Sequence, residues 1–85
     1  EIQWVVTPNP SSGQFSLNGQ ASPGEHIRVK VYDTRGQLIY HHSSPATGYA
    51  QKLLIDLKAP AYPSGMYLLE TGVGERRRSF KLVKQ

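Results

Sequence analysis

Apolar and polar residues alternate with a period of two over short stretches of the chain, and turn-forming residues interrupt each stretch. The cleanest stretch places Ile27, Val29 and Val31 against Arg28, Lys30 and Tyr32, the period of a half-buried strand. Leu53, Ile55 and Leu57 alternate with Lys52 and Asp56, although Leu54 breaks the pattern. Tyr67, Leu69 and Thr71 share one face of a later stretch, and Met66, Leu68 and Glu70 share the other. Phe80 and Leu82 fall on one face of the final run, Lys81 and Val83 on the other. The pattern predicts strands over 2–6, 14–19, 26–33, 37–43, 51–57, 66–72 and 76–84, with no helical period longer than two turns. Short strands separated by frequent turns predict an all-β, antiparallel β-sandwich. Ile27, Val29, Val31, Ile55, Leu57, Tyr67, Leu69 and Leu82 are expected to face inward, with Trp4 packed against them.

The turns have specific chemistry. Asp33 suits the first position of a type I turn, with Gly36 left-handed just after it, which predicts a three-residue hairpin with a glycine bulge. Tyr62-Pro63-Ser64-Gly65 suits a second type I turn, with a less definite expectation of positive φ at Gly65. In Pro8-Asn9-Pro10 each proline fixes its own φ and extends the residue before it, and the Asn9 side chain is placed to bond the backbone just ahead. A stiff corner is expected there.

Composition narrows the function. The chain has 85 residues and no cysteine, so packing alone must hold it, with stability on the order of 5 kcal/mol. One domain over 1–85 is expected, an excised piece of a longer protein, and a monomer when isolated. No apolar run is long enough to span a bilayer. Ser11, Ser12, Ser43, Ser44 and Ser64 lie in turns or loops and fit no nucleophile-elbow pattern. His41 and His42 are neighbours on a strand and point to opposite faces, so they cannot chelate one ion together. The six carboxylates form no calcium loop. No enzyme activity, cofactor or metal is expected.

The net charge of +4 draws on Arg76, Arg77 and Arg78, followed by Lys81 and Lys84. Such a run reads first as a charged strand that keeps a sheet edge soluble, and alternatively as a basic patch for an anionic partner. Nucleic-acid binding calls for aromatic residues interleaved with basic ones on one sheet face; Arg28, Lys30 and Tyr32 do share a face, which keeps that reading as a runner-up, while no nucleic-acid partner is expected.

Three segments in order carry a resemblance: Thr7-Pro8-Asn9-Pro10-Ser11-Ser12-Gly13-Gln14-Phe15, then Val29-Lys30-Val31-Tyr32-Asp33-Thr34-Arg35-Gly36-Gln37-Leu38-Ile39, then Ile55-Asp56-Leu57 and Pro63-Ser64-Gly65-Met66-Tyr67-Leu68-Leu69 with a final Phe80-Lys81-Leu82-Val83-Lys84-Gln85. Together they resemble the C-terminal sorting domain of the type IX (Por) secretion system of Bacteroidota. Thr71, where a branched aliphatic is common, and the basic Arg76–Arg78 run depart from that pattern. The resemblance implies a seven-stranded, immunoglobulin-like sandwich that addresses a cargo protein through the periplasm to an outer-membrane translocon. It implies shuttle and sortase-like components as partners. It also implies cleavage with transfer of the cargo to anionic lipopolysaccharide, or retention as a docking module. Lys81, Leu82, Val83, Lys84 and Gln85 are the expected address, read by a receptor that adds a strand to an exposed edge. The competing reading is a glycan-binding or adhesive sandwich of a surface protein, using Trp4 or exposed tyrosines.

Overall fold

A computed structural model describes residues 4–85. Seven strands follow in order: β1 (Val5–Thr7), β2 (Gln14–Gly19), β3 (His26–Tyr32), β4 (Leu38–Pro45), β5 (Gln51–Asp56), β6 (Gly65–Val73) and β7 (Arg76–Lys84). Each lies within a few residues of its expected position. Residues 2 and 3 of the expected first strand fall outside the described residues, and the observed strand runs to Thr7.

The strands form two antiparallel sheets, ordered β1-β2-β5 and β4-β3-β6-β7. This is the expected all-β, seven-stranded sandwich with immunoglobulin-like architecture. Its core follows from the alternation. Phe15, Leu17, Leu53 and Ile55 line the smaller sheet's inner face, and Ile27, Val29, Val31, Tyr67, Leu69 and Leu82 line that of the larger. All eight residues expected to face inward are buried, and so is Trp4. Leu54, which broke the pattern, is exposed.

Three local features lock the ends of the sheets. At the β3–β4 hairpin the Gly36 amide donates to the Asp33 carbonyl (3.0 Å), and Gly36 has φ of 84°. The Asp33 carboxylate accepts from the amides of Arg35 (2.9 Å) and Gln37 (3.0 Å). The Gln37 amide is the main reason that the Asp33 pKa lies below its usual value, so this brace is present at neutral pH and is lost as acid protonates the carboxyl. Second, the Tyr67 hydroxyl donates to the Pro63 carbonyl, tying the start of β6 back to the loop before it. Burial raises the Tyr67 pKa, which keeps that donor protonated. Third, Gly13 lies so close to the chain after β5 that an added Cβ would meet Lys58 Cα at 2.9 Å, and its carbonyl accepts from the Leu57 amide at 2.7 Å.

One turn differs from expectation. The hydrogen-bonded turn between β5 and β6 is Ala59–Tyr62, closed by the Tyr62 amide on the Ala59 carbonyl (2.9 Å), rather than 62–65. Pro60 therefore takes the position expected for Pro63, and the Tyr62 carbonyl that would close a 62–65 turn accepts from Lys84 Nζ instead. Gly65, at the start of β6, has φ of 142°.

The core contains one polar irregularity. Thr71 is 2% exposed, and its hydroxyl is the one buried side-chain polar group without a hydrogen-bond partner among the described residues. Thr71→Val keeps the shape and removes the unpaired hydroxyl, so it should stabilise the fold by about 1 kcal/mol in a urea titration. Gly36→Val places a branched side chain at positive φ and should destabilise by more than about 1 kcal/mol by the same measurement. An unchanged midpoint for either variant contradicts the corresponding assignment.

Candidate functional site

The residues expected to carry the address gather along the outer edge of β7. Beyond Thr7 the chain leaves the smaller sheet through Pro8-Asn9-Pro10, where the Thr7–Pro8 and Asn9–Pro10 peptide bonds are cis, and runs beside β7 of the larger sheet. The Asn9 side chain then behaves as a short piece of strand. Its Nδ2 donates to the Lys81 carbonyl (2.6 Å), and its Oδ1 accepts from the Val83 amide (3.0 Å). One step further, the Ser11 amide donates to the Val83 carbonyl (3.0 Å) and the Gln85 amide donates to the Ser11 carbonyl (2.8 Å). Ser11 and Lys84 form a parallel bridge. The Ser11 hydroxyl, itself buried, donates to the Gln14 carbonyl (2.6 Å) and accepts from the Gly13 amide (3.1 Å).

These bonds correct two expectations. Asn9 does not bond the backbone just ahead: it reaches a strand more than seventy residues away, because the corner turns its side chain toward β7. The edge of β7 at residues 81–85 is not free for a receptor strand either, since Asn9 and Ser11 already occupy it. Upstream, the backbone groups of Arg77 and Ser79 that face the same edge have no partner among the described residues.

The side chains of the terminal run divide by face. Leu82 is buried in the core, Val83 is half-buried on the outer face, and Lys81 and Gln85 are exposed. Lys84 shares the inward phase of Leu82 and is 8% exposed. Its Nζ donates to the Tyr62 carbonyl and lies 3.4 Å from that of Ala59, so it caps the 59–62 turn instead of offering a charge to a partner. The phase of the alternation contained this signal: residues 80, 82 and 84 share one face.

Arg76, Arg77 and Arg78 likewise do not form one patch. Arg76 pairs with the Glu25 carboxylate, both oxygens at 3.3 Å. Arg78 lies over the Phe80 ring, 5.5 Å from its centroid. Arg77 points to the opposite face, beside Gly72 of β6. His41 and His42 stand on opposite faces of β4, level with Lys30 and Val29. An open cleft of about 400 Å³ between the β3–β4 hairpin and the loop before β6 contains Asp33, Tyr62, Ser64 and Tyr67. Its one carboxylate is already bonded by Arg35 and Gln37.

The two terminal lysines should separate cleanly. Lys84→Gln is expected to lose about 1–3 kcal/mol of stability, the range for a charged hydrogen bond left unmade in a nearly buried site. Lys81→Gln should change it by no more than about 0.5 kcal/mol. Equal melting shifts for the two variants contradict the buried placement of Lys84.

The chain matches the family model described as a secretion system C-terminal sorting domain over residues 5–85. No curated protein matches it. Domains of that family serve as sorting signals for the type IX secretion machinery, for export to the cell surface or beyond. The Pro-Asn-Pro corner, the Asp33–Gly36 hairpin, the Gly65–Tyr67 strand start and the closing β7 strand all lie within the matched span, and the chain belongs to the family of type IX (Por) secretion system C-terminal sorting domains.

Proposed function

We propose that this domain is the non-catalytic address of a longer exported protein, and that the address is β7 together with the corner that closes it. It directs its parent from the periplasm through the outer-membrane translocon to the cell surface. There a sortase-like peptidase removes it and joins the parent to anionic lipopolysaccharide, or the domain is retained as a docking module. The carrying observation is the double hydrogen bond from Asn9 to Lys81 and Val83, which makes two distant family motifs one rigid surface. A recognition tag needs such a rigid surface and no reaction centre. Lys81, Val83 and Gln85 supply its accessible side chains, while Leu82 and Lys84 hold the strand in place.

The test is a fusion of the domain to a periplasmically exported reporter in a type IX-competent bacterium. Surface delivery that depends on the domain is the expected result. Asn9→Ala removes both side-chain bonds and leaves the buried core residues intact, so it should reduce delivery with a loss of about 1–2 kcal/mol in stability. A folded Asn9→Ala domain that delivers its reporter normally excludes the corner from the address. Retention on polysaccharide, with no surface delivery by the unaltered domain, overturns the sorting reading in favour of a glycan-binding module.

A further inference from the structure

The outer face of the four-stranded sheet has two unlike halves. Register places Leu38, Tyr32, Leu68 and Lys81 in one row across β4, β3, β6 and β7, with Met66 and Val83 paired one step beyond on β6 and β7. Leu38, Met66 and Leu68 are 48%, 48% and 46% exposed, which makes this half the place where three large apolar side chains share one face in the open. The other half is basic. Lys30 and Glu70 pair at its centre, and Arg28, Gly72 and Arg77 form the next row. Gly72 leaves a notch between the two arginines, and Arg28 lies across it to donate to the Gly74 carbonyl (2.7 Å). Arg28, Lys30, Arg77 and Lys81 are thus set against Glu70 alone on this face.

We infer that this face is a docking surface for a protein partner that presents apolar side chains beside a cluster of carboxylates. The proposal rests on the sorting reading, in which that partner belongs to the secretion machinery, but it moves recognition from the strand edge to the sheet face. Three observations support it. The downstream edge of β7 is sealed by Asn9 and Ser11, so a partner reading β7 there must read side chains. Four side chains of that strand, Arg77, Ser79, Lys81 and Val83, belong to this same face, and Arg77, Ser79 and Lys81 are exposed. The charge excess calls for an acidic counterpart, and Tyr32, Met66 and the arginines are of the residue types enriched at protein interfaces.

The reporter fusion described above tests the face with three variants. Met66→Ser/Leu68→Ser removes the apolar half, Lys30→Glu/Arg77→Glu reverses the basic half, and Val5→Ser/Leu54→Ser alters exposed apolar residues of the other sheet as a control. All should retain cooperative unfolding, since each position is exposed. Delivery should fall about tenfold or more for the first two and stay unchanged for the third, the effect of losing one strong interface contact. Lys30→Gln/Arg77→Gln should fall between the unaltered and reversed forms. If the unaltered domain delivers the reporter and the folded face variants deliver it equally well, the docking face is refuted while the sorting function stands. If the unaltered domain fails to deliver, the sorting reading itself fails. Vesicles of phosphatidylcholine with about one-third phosphatidylglycerol, an anionic surface, provide the second arm. Co-sedimentation of the domain that Met66→Ser/Leu68→Ser abolishes would overturn the protein partner in favour of a membrane.

Discussion

The side-chain amide of Asn9 holds this structure closed. A sandwich built from two open sheets exposes the rims of its edge strands, and every unpaired amide and carbonyl there is an invitation to the wrong partner. Here the first strand belongs to one sheet, and the residues just after it belong to the rim of the other. Asn9 makes the transfer possible because an amide offers one donor and one acceptor at the spacing of a peptide group, so a side chain can stand in for backbone where two prolines cannot donate. Ser11 then resumes true main-chain pairing.

The position of Lys84 depends on this closure. A lysine side chain lies almost wholly covered near the end of an edge strand only if the space around its ammonium is furnished with acceptors. The turn at Ala59–Tyr62 provides them, directing two carbonyls at Nζ, while Ser11 runs alongside the Lys84 backbone. The terminal basic residues therefore do two different jobs. Lys84 is part of the internal framework, and Lys81, one step out of phase with Leu82, is part of the surface.

How much of this was legible in the sequence depended on the distance over which each feature is determined. Burial along β3, β5 and β6 is a property of neighbouring residues, so alternation alone placed Val31, Ile55 and Leu69, and it also marked Leu54 as an exception. The Asp33–Gly36 hairpin was readable for the same reason, since its chemistry lies within five residues. The partners of Asn9 were not readable, because nothing near residue 9 encodes a strand seventy residues on. The hydrogen-bonded turn before β6 was misplaced because Pro60 and Pro63 both suit its second position, and the Tyr62 carbonyl that would close the later turn is taken by Lys84, a residue distant in sequence. The alternative reading of Arg76–Arg78 as one basic patch came from composition alone; the alternation that separates His41 from His42 also sets Arg77 on the face opposite Arg76 and Arg78.

The long reach of the Asn9 contact has a kinetic side. Hairpins such as β3–β4 and β6–β7 join residues close in sequence and are cheap in loop entropy, whereas joining residue 9 to residues 81 and 83 closes nearly the entire chain. The fold is thus completed by two parts far apart in sequence, and no earlier than the docking of β7. Until then both rims remain open and vulnerable to mispairing, which puts the hazardous interval of this chain's life before its last strand docks rather than after.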